Sequence, residues 1–134
     1  MVGTVKVNLL LDTHIFLWLN EQPEKLSVNI LQHCEDSNNS LYLSYVSPWE
    51  IQIKSQLGKL ALDEPLQTMI QTQQQENNLH LLPVRLTHIY ALADLPHYHR
   101  DPFDRLLIAQ ANIEDMSFVS VDGNIADYPV KLIT

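Results

Sequence analysis

Glycine and cysteine are nearly missing from this chain. Its three glycines, Gly3, Gly58 and Gly123, lie far apart, which excludes the clustered glycines of a dinucleotide-binding fingerprint or a phosphate-binding P-loop. A single cysteine, Cys34, excludes a disulfide framework and any cysteine-built zinc site within one chain. On an amphipathic helix, Cys34 reads as a small buried residue. Positive charge is also scarce: 8 Lys+Arg stand against 16 Asp+Glu, for a net charge of -8. That excludes a duplex binder working through a basic face, but not an enzyme that meets nucleic acid through metal ions. No apolar run approaches the ~18 residues of a membrane-spanning helix. Met1 to Lys6 lacks the basic-then-apolar pattern of a secretory signal, so a cytoplasmic location is expected.

What remains is an ordinary globular composition. The chain has 134 residues, 46% of them hydrophobic, which suits one domain over residues 1–134. Val7 to Leu11 is a short apolar run that reads as a buried strand, and an apolar helix around Ile15 to Leu19 follows. A helix is predicted over Ser27–Cys34 with Ser27 as its cap, and a strand over Leu41–Tyr45. Ser47-Pro48-Trp49-Glu50 combines a capping serine, a proline at the first helical position and a glutamate three residues after the cap. It predicts a helix to about Leu57, stopped by Gly58. Pro65 to about Asn77 reads as a helix whose glutamines face water, Leu79–Val84 as a strand and Thr87–Leu95 as a short helix. Asp101-Pro102-Phe103-Asp104 repeats the cap–proline pattern and opens a helix that is apolar nearly all round. Ser117–Val121 and Val130–Ile133 read as the last two strands. Strands alternating with helices imply a mostly parallel sheet covered on both faces.

Four acids occupy equivalent places in this pattern. Asp12 and Asp122 directly follow strands, and Glu50 and Asp104 lie in the first turns of helices. In a parallel sheet these places gather at one edge, where open α/β folds bind ligands. Clustered carboxylates repel, by about 4 kcal/mol for a pair ~4 Å apart at an effective dielectric near 20. Some then take up protons, or a divalent cation joins them. Oxygen-only donors suit Mg²⁺ or Mn²⁺. Each acid also has an ordinary alternative. Glu50 fits a capping box, Asp104 favours the helix dipole, and Asp122 before Gly123 fits a turn. Asp12, set directly behind an apolar strand, is the hardest to explain without a use. Asp101 reads as a cap and Asp127 as loop surface.

At these residues the sequence resembles the PIN-domain ribonucleases, and within them the VapC-like toxins of toxin–antitoxin pairs. The matching pieces are Leu9 to His14 with Leu17-Trp18, Ser44 to Lys54 (SYVSPWEIQIK), Arg100 to Ala111 (RDPFDRLLIAQA), and Phe118 to Asp122. They run in order along nearly the whole chain. The resemblance implies a three-layer α/β/α sandwich with a parallel sheet of about five strands, and a Mg²⁺- or Mn²⁺-dependent endoribonuclease. It matches the family's four metal-binding acids to Asp12, Glu50, Asp104 and Asp122, the last on the family's least regular position. It also implies a symmetric homodimer and an antitoxin protein that blocks the active site.

The chemistry expected of such a site is hydrolysis of RNA that leaves 5′-phosphate and 3′-hydroxyl ends. Thr13 and Ser120 have two readings: binding a phosphate, a metal-bound water or a neighbouring carboxylate, and satisfying nearby backbone. Arg105 and Arg100 flank Asp104 and suit either substrate phosphates or ion pairs within the protein. Trp18, Trp49, Phe103 and Tyr90 suit a core or an interface better than base stacking. His97-Tyr98-His99 lacks a third soft ligand for zinc, and the direction of His14 is open. A haloacid-dehalogenase-type phosphotransferase would need a second aspartate where His14 stands, and a receiver-type phosphoacceptor an acid beside Asp12. A PIN fold that only binds a partner is the remaining alternative.

Overall fold

The computed structural model describes residues 6–98 and 101–134. Its elements in chain order are β1 (Asn8–Leu11), α1 (Thr13–Glu21), α2 (Val28–Glu35), β2 (Ser40–Ser44), α3 (Val46–Gln56), α4 (Leu66–Asn77), β3 (His80–Leu82), α5 (Leu86–Ala91), α6 (Pro102–Ile113), β4 (Ser117–Val119) and β5 (Leu132–Ile133). The five strands form one parallel sheet in the order β3-β2-β1-β4-β5. From β1 the chain winds outward through β2 and β3, then returns to lay β4 on the other side of β1. The point where winding reverses lies between β1 and β4, the place where such sheets open a crevice at their carboxyl ends.

Alternation along β1 divides the core. Leu9 and Leu11 pack with Ile15, Phe16, Ile30, Leu43, Ile51 and Met69 on one face. Leu10 packs with Leu107, Ile108, Ala111, Phe118 and Ile125 on the other. Both faces of the sheet are therefore covered, giving the three-layer α/β/α sandwich, and the Leu9–Leu11 run of β1 follows from burial on both sides.

Local signals explain three of the helix ends. Ser27 caps α2 by accepting from the Ile30 amide at 3.1 Å. Asp101 caps α6 by accepting from the Phe103 and Asp104 amides, with Pro102 at the first helical position. Past the end of α3, Gly58 takes a left-handed backbone with φ of +73°, and the Lys59 amide reaches back to the Lys54 carbonyl at 2.9 Å. This is the closing turn that glycine permits at lowest cost. Cys34 is buried, and burial, with Glu35 adding, pushes its thiol up to about 11.

Other expectations need correction. Ser47 does not cap α3. The helix begins at Val46, straight off β2, because Ser44 at the strand end supplies the hydroxyl that accepts from the Val46 amide. Pro48 falls within the first turn, where a missing N–H costs no intrahelical bond. Glu50 is thereby moved out of the capping-box position. The strands expected over Leu79–Val84, Ser117–Val121 and Val130–Ile133 are shorter. Trp49 and Tyr90 lie on the surface, outside both cores, and Gln73 is the one helix-α4 glutamine that is buried.

Candidate active site

Strand register builds the first half of the site. Leu11 pairs with Val119, so the next residues along, Asp12 and Ser120, come side by side at the carboxyl ends of β1 and β4. The Asp12 amide extends the ladder to the Val119 carbonyl at 2.9 Å. The Ser120 hydroxyl donates to Asp12 Oδ2 at 2.6 Å and accepts from the Asp122 amide at 3.1 Å. Asp12 Oδ1 accepts from the Thr13 amide at 2.7 Å, which also caps α1.

Helix α3 supplies the second half. The Thr13 hydroxyl, on the first turn of α1, donates to Glu50 Oε1 at 2.8 Å and lies 2.9 Å from the Ser47 hydroxyl. The other Glu50 oxygen accepts from the Lys54 ammonium one helical turn on. Trp49 packs edge-on against Phe103 with ring centroids 5.2 Å apart. That contact sets α3 against the start of α6, where Asp104 is held by the Asp101 cap.

The electrostatics follow from burial. Asp12, Thr13, Ser47, Glu50, Asp104 and Ser120 are all buried, Asp12 at 5% and Glu50 at 2% exposure. Burial raises the Asp12 pKa above its ordinary 3.8. The bonds from Ser120 and Thr13 and the His14 charge only partly oppose this, and the Glu50 charge adds to it. Lys54 is the counterpart. Burial of its stem lowers its pKa, but the Glu50 hydrogen bond and the charges of Glu50, Asp101 and Asp104 outweigh that and raise it. The ammonium therefore sits in the combined field of three carboxylates.

The expected site residues divide as follows. Asp12, Thr13, Glu50 and Ser120 are joined by hydrogen bonds, and the Asp104 charge acts on Lys54. Asp122 joins through its amide to Ser120, while its carboxylate accepts from the Asn124 amide at 2.9 Å and closes a short 3₁₀ turn. The turn alternative thus accounts for that carboxylate oxygen. Arg105 turns elsewhere: its guanidinium donates to the Leu92 and Leu95 carbonyls, at 3.3 and 3.2 Å, and fastens the approach to α6. Arg100 and His99 lie outside the described residues. His14 is exposed beside Trp18. Sequence reasoning missed Ser47, read as a cap, and Lys54, although Glu followed by Lys four positions later is a legible helix ion pair.

The carboxylate and hydroxyl oxygens here are hard donors, the kind that suit Mg²⁺ or Mn²⁺. By chemistry this oxygen donor set, with buried Asp12 and Glu50 at its centre, fits a divalent cation. Among the described residues no three His, Cys, Asp or Glu side chains stand close enough together to hold a metal as they are placed. Lys54 and the hydroxyls of Thr13 and Ser120 fill the space between the acids. A second cleft, of about 660 Å³, lies at the opposite edge of the sheet among Lys6, Glu35, Asp36, Asn39 and Glu76. It contains none of these acids, and the carbonyl ends of α2 and α4 there carry the wrong sign for a phosphate.

No curated protein matches the chain in sequence. Solved structures resemble it closely in fold. One is VapBC2 from Rickettsia felis bound to a DNA fragment from their promoter, with a TM-score of 0.70 at 16% identity over 95% of this chain and 98% of that one. DNA-bound VapBC from Salmonella typhimurium gives 0.65 at 10% identity over 95% and 97%. VapBC-5 from Mycobacterium tuberculosis, of the VapBC family of toxin-antitoxin systems, gives 0.58 at 16% identity over 95% and 96%. Residues 9–131 match the PIN domain, a span that starts just ahead of Asp12 and runs past Ser120. The chain belongs to the PIN domain family.

Proposed function

We propose that this protein is a divalent-metal-dependent endoribonuclease and the toxin of a toxin–antitoxin pair. The observation that supports the reading is the linkage of buried Asp12 and Glu50 through Thr13 at the carboxyl end of β1, with the Asp104 charge acting on the Lys54 that bonds Glu50. Asp12, Glu50 and Asp104 would hold Mg²⁺ or Mn²⁺, with Asp122 at the margin. Such an ion, when bound, supplies positive charge to the phosphodiester and makes a water acidic.

The chain's own residues do the positioning. Ser120 and the Thr13 amide fix both oxygens of Asp12 in one orientation. Thr13, itself bonded to the Ser47 hydroxyl, fixes Glu50. The first turns of α1 and α6 point their amide ends at the same edge and favour an anionic substrate there. No ribose hydroxyl is needed as nucleophile, so the products carry 5′-phosphate and 3′-hydroxyl ends. The partners proposed are RNA, an antitoxin protein and a second copy of the chain. Support for the antitoxin is the resemblance in fold to VapBC complexes.

The test is cleavage of RNA with Mn²⁺, with and without a chelator, by wild type and Asp12→Asn. Cleavage that needs the metal, leaves 5′-phosphate ends and falls at least 100-fold in the variant is the expected result. Cleavage by Asp12→Asn at the wild-type rate, or 2′,3′-cyclic phosphate ends, overturns it.

A further inference from the structure

We infer that Lys54 is a built-in counter-ion of the acidic crevice, bound to Glu50 where a divalent cation would otherwise bind, so that metal loading must displace it. The inference rests on the metal-dependent reading proposed above. Its basis is the position of one side chain. Lys54 lies one turn after Glu50 on α3, and its ammonium bonds the Glu50 oxygen that Thr13 leaves open. Glu50 is 3% exposed at its side chain and Lys54 35%. The pair is therefore half sheltered and weakly screened, unlike a surface ion pair.

The surroundings leave this cation a specific task. Asp101 and Asp104 act on Lys54 together with Glu50, and Asp12 feels the Glu50 charge. The ammonium bonds Glu50 directly and lies in the field of Asp101 and Asp104. The same charge opposes an incoming divalent ion twice, by occupying a Glu50 oxygen and by repulsion. Competition of this kind weakens the apparent affinity of the crevice for free metal by a constant factor.

The experiment is calorimetric titration of the chelator-treated full chain with Mn²⁺, paired with thermal melts, for wild type, Lys54→Met and Lys54→Arg. Methionine keeps the apolar stem and removes the charge. Lys54→Met is expected to melt lower without metal and to bind Mn²⁺ about tenfold more tightly, which is about 1.4 kcal/mol. Lys54→Arg, which keeps the charge, is expected to return the affinity to within about threefold of wild type. A purely structural lysine would lower the melting temperature and leave the affinity unchanged or weaker; that result overturns the inference while the nuclease reading stands. Binding by Lys54→Met but not by wild type supports the inference and overturns the reading of the natural chain as metal-loaded. Absence of binding by either overturns both.

Discussion

Asp12 concentrates the residue-scale physics of this fold. A carboxylate at 5% exposure is held by one hydroxyl and one amide, and its pKa still lies above 3.8 because burial outweighs both. The sign of the consequence follows. Folding raises the affinity of this group for a proton, so its contribution to stability is complete below pH ~3.8 and is lost as pH rises through the folded-state value. The metal-free wild type is therefore expected to lose stability relative to Asp12→Asn as pH is raised from about 4 toward neutrality. Denaturant melts at stepped pH check this, and parallel profiles for the two proteins would assign the slope to another group. Asp12 was legible in the sequence because a charge directly behind an all-apolar strand needs a reason. Ser47 was misread because its neighbours imitate a capping box, and only the strand-end Ser44, bonded to Val46, reveals where α3 starts.

Helix α6 and its cap show how an element carries a site residue. Asp101 accepts from the amides of Phe103 and Asp104, and so it orients the turn that presents Asp104. Asp101→Ala is expected to cost about 1 kcal/mol and to lower cleavage with it. Asp101→Asn and Asp101→Ser, which also cap, should restore most of both; recovery of neither would point to the charge of Asp101 instead. Gly58 sets the end of α3. At φ +73° an alanine there meets backbone strain of about 1 kcal/mol, measurable as a lowered melting temperature. Helix starts at Ser27 and Asp101 and the stop at Gly58 could be read because they depend on neighbours in sequence. The ends of β3, β4 and β5 could not, since a strand lasts only as long as its partner does. The direction of Arg105 was equally hidden: its carbonyl partners Leu92 and Leu95 are set by the docking of α5 on α6.

At the scale of the whole molecule, charge and topology act together. The chain carries a net charge of -8, and part of that excess is buried at one edge of the sheet. A divalent ion that binds only the folded protein is expected to stabilise it by about 2.7 kcal/mol at a hundredfold excess over its dissociation constant, a rise in melting temperature on the order of 10 °C. Melts with Mn²⁺, reversed by chelator, read this directly; an unchanged melting temperature would argue against any metal site. Among the described residues no helix is long and apolar enough to cross a membrane. The layered architecture was legible because alternating strands and helices admit few arrangements. That β1 would lie at the centre, with β4 returning to its far side, follows from packing on both faces and could not be read from any local segment.

The contact between Asp12 and Ser120 joins residues 108 positions apart. Protein synthesis makes the first long before the second. A chain still growing on the ribosome has its leading aspartate in place but lacks the strand that must slide in beside it, and long-range pairing of this sort closes late. The hydroxyl that holds one Asp12 oxygen thus arrives only once β4 has been made and has paired with β1.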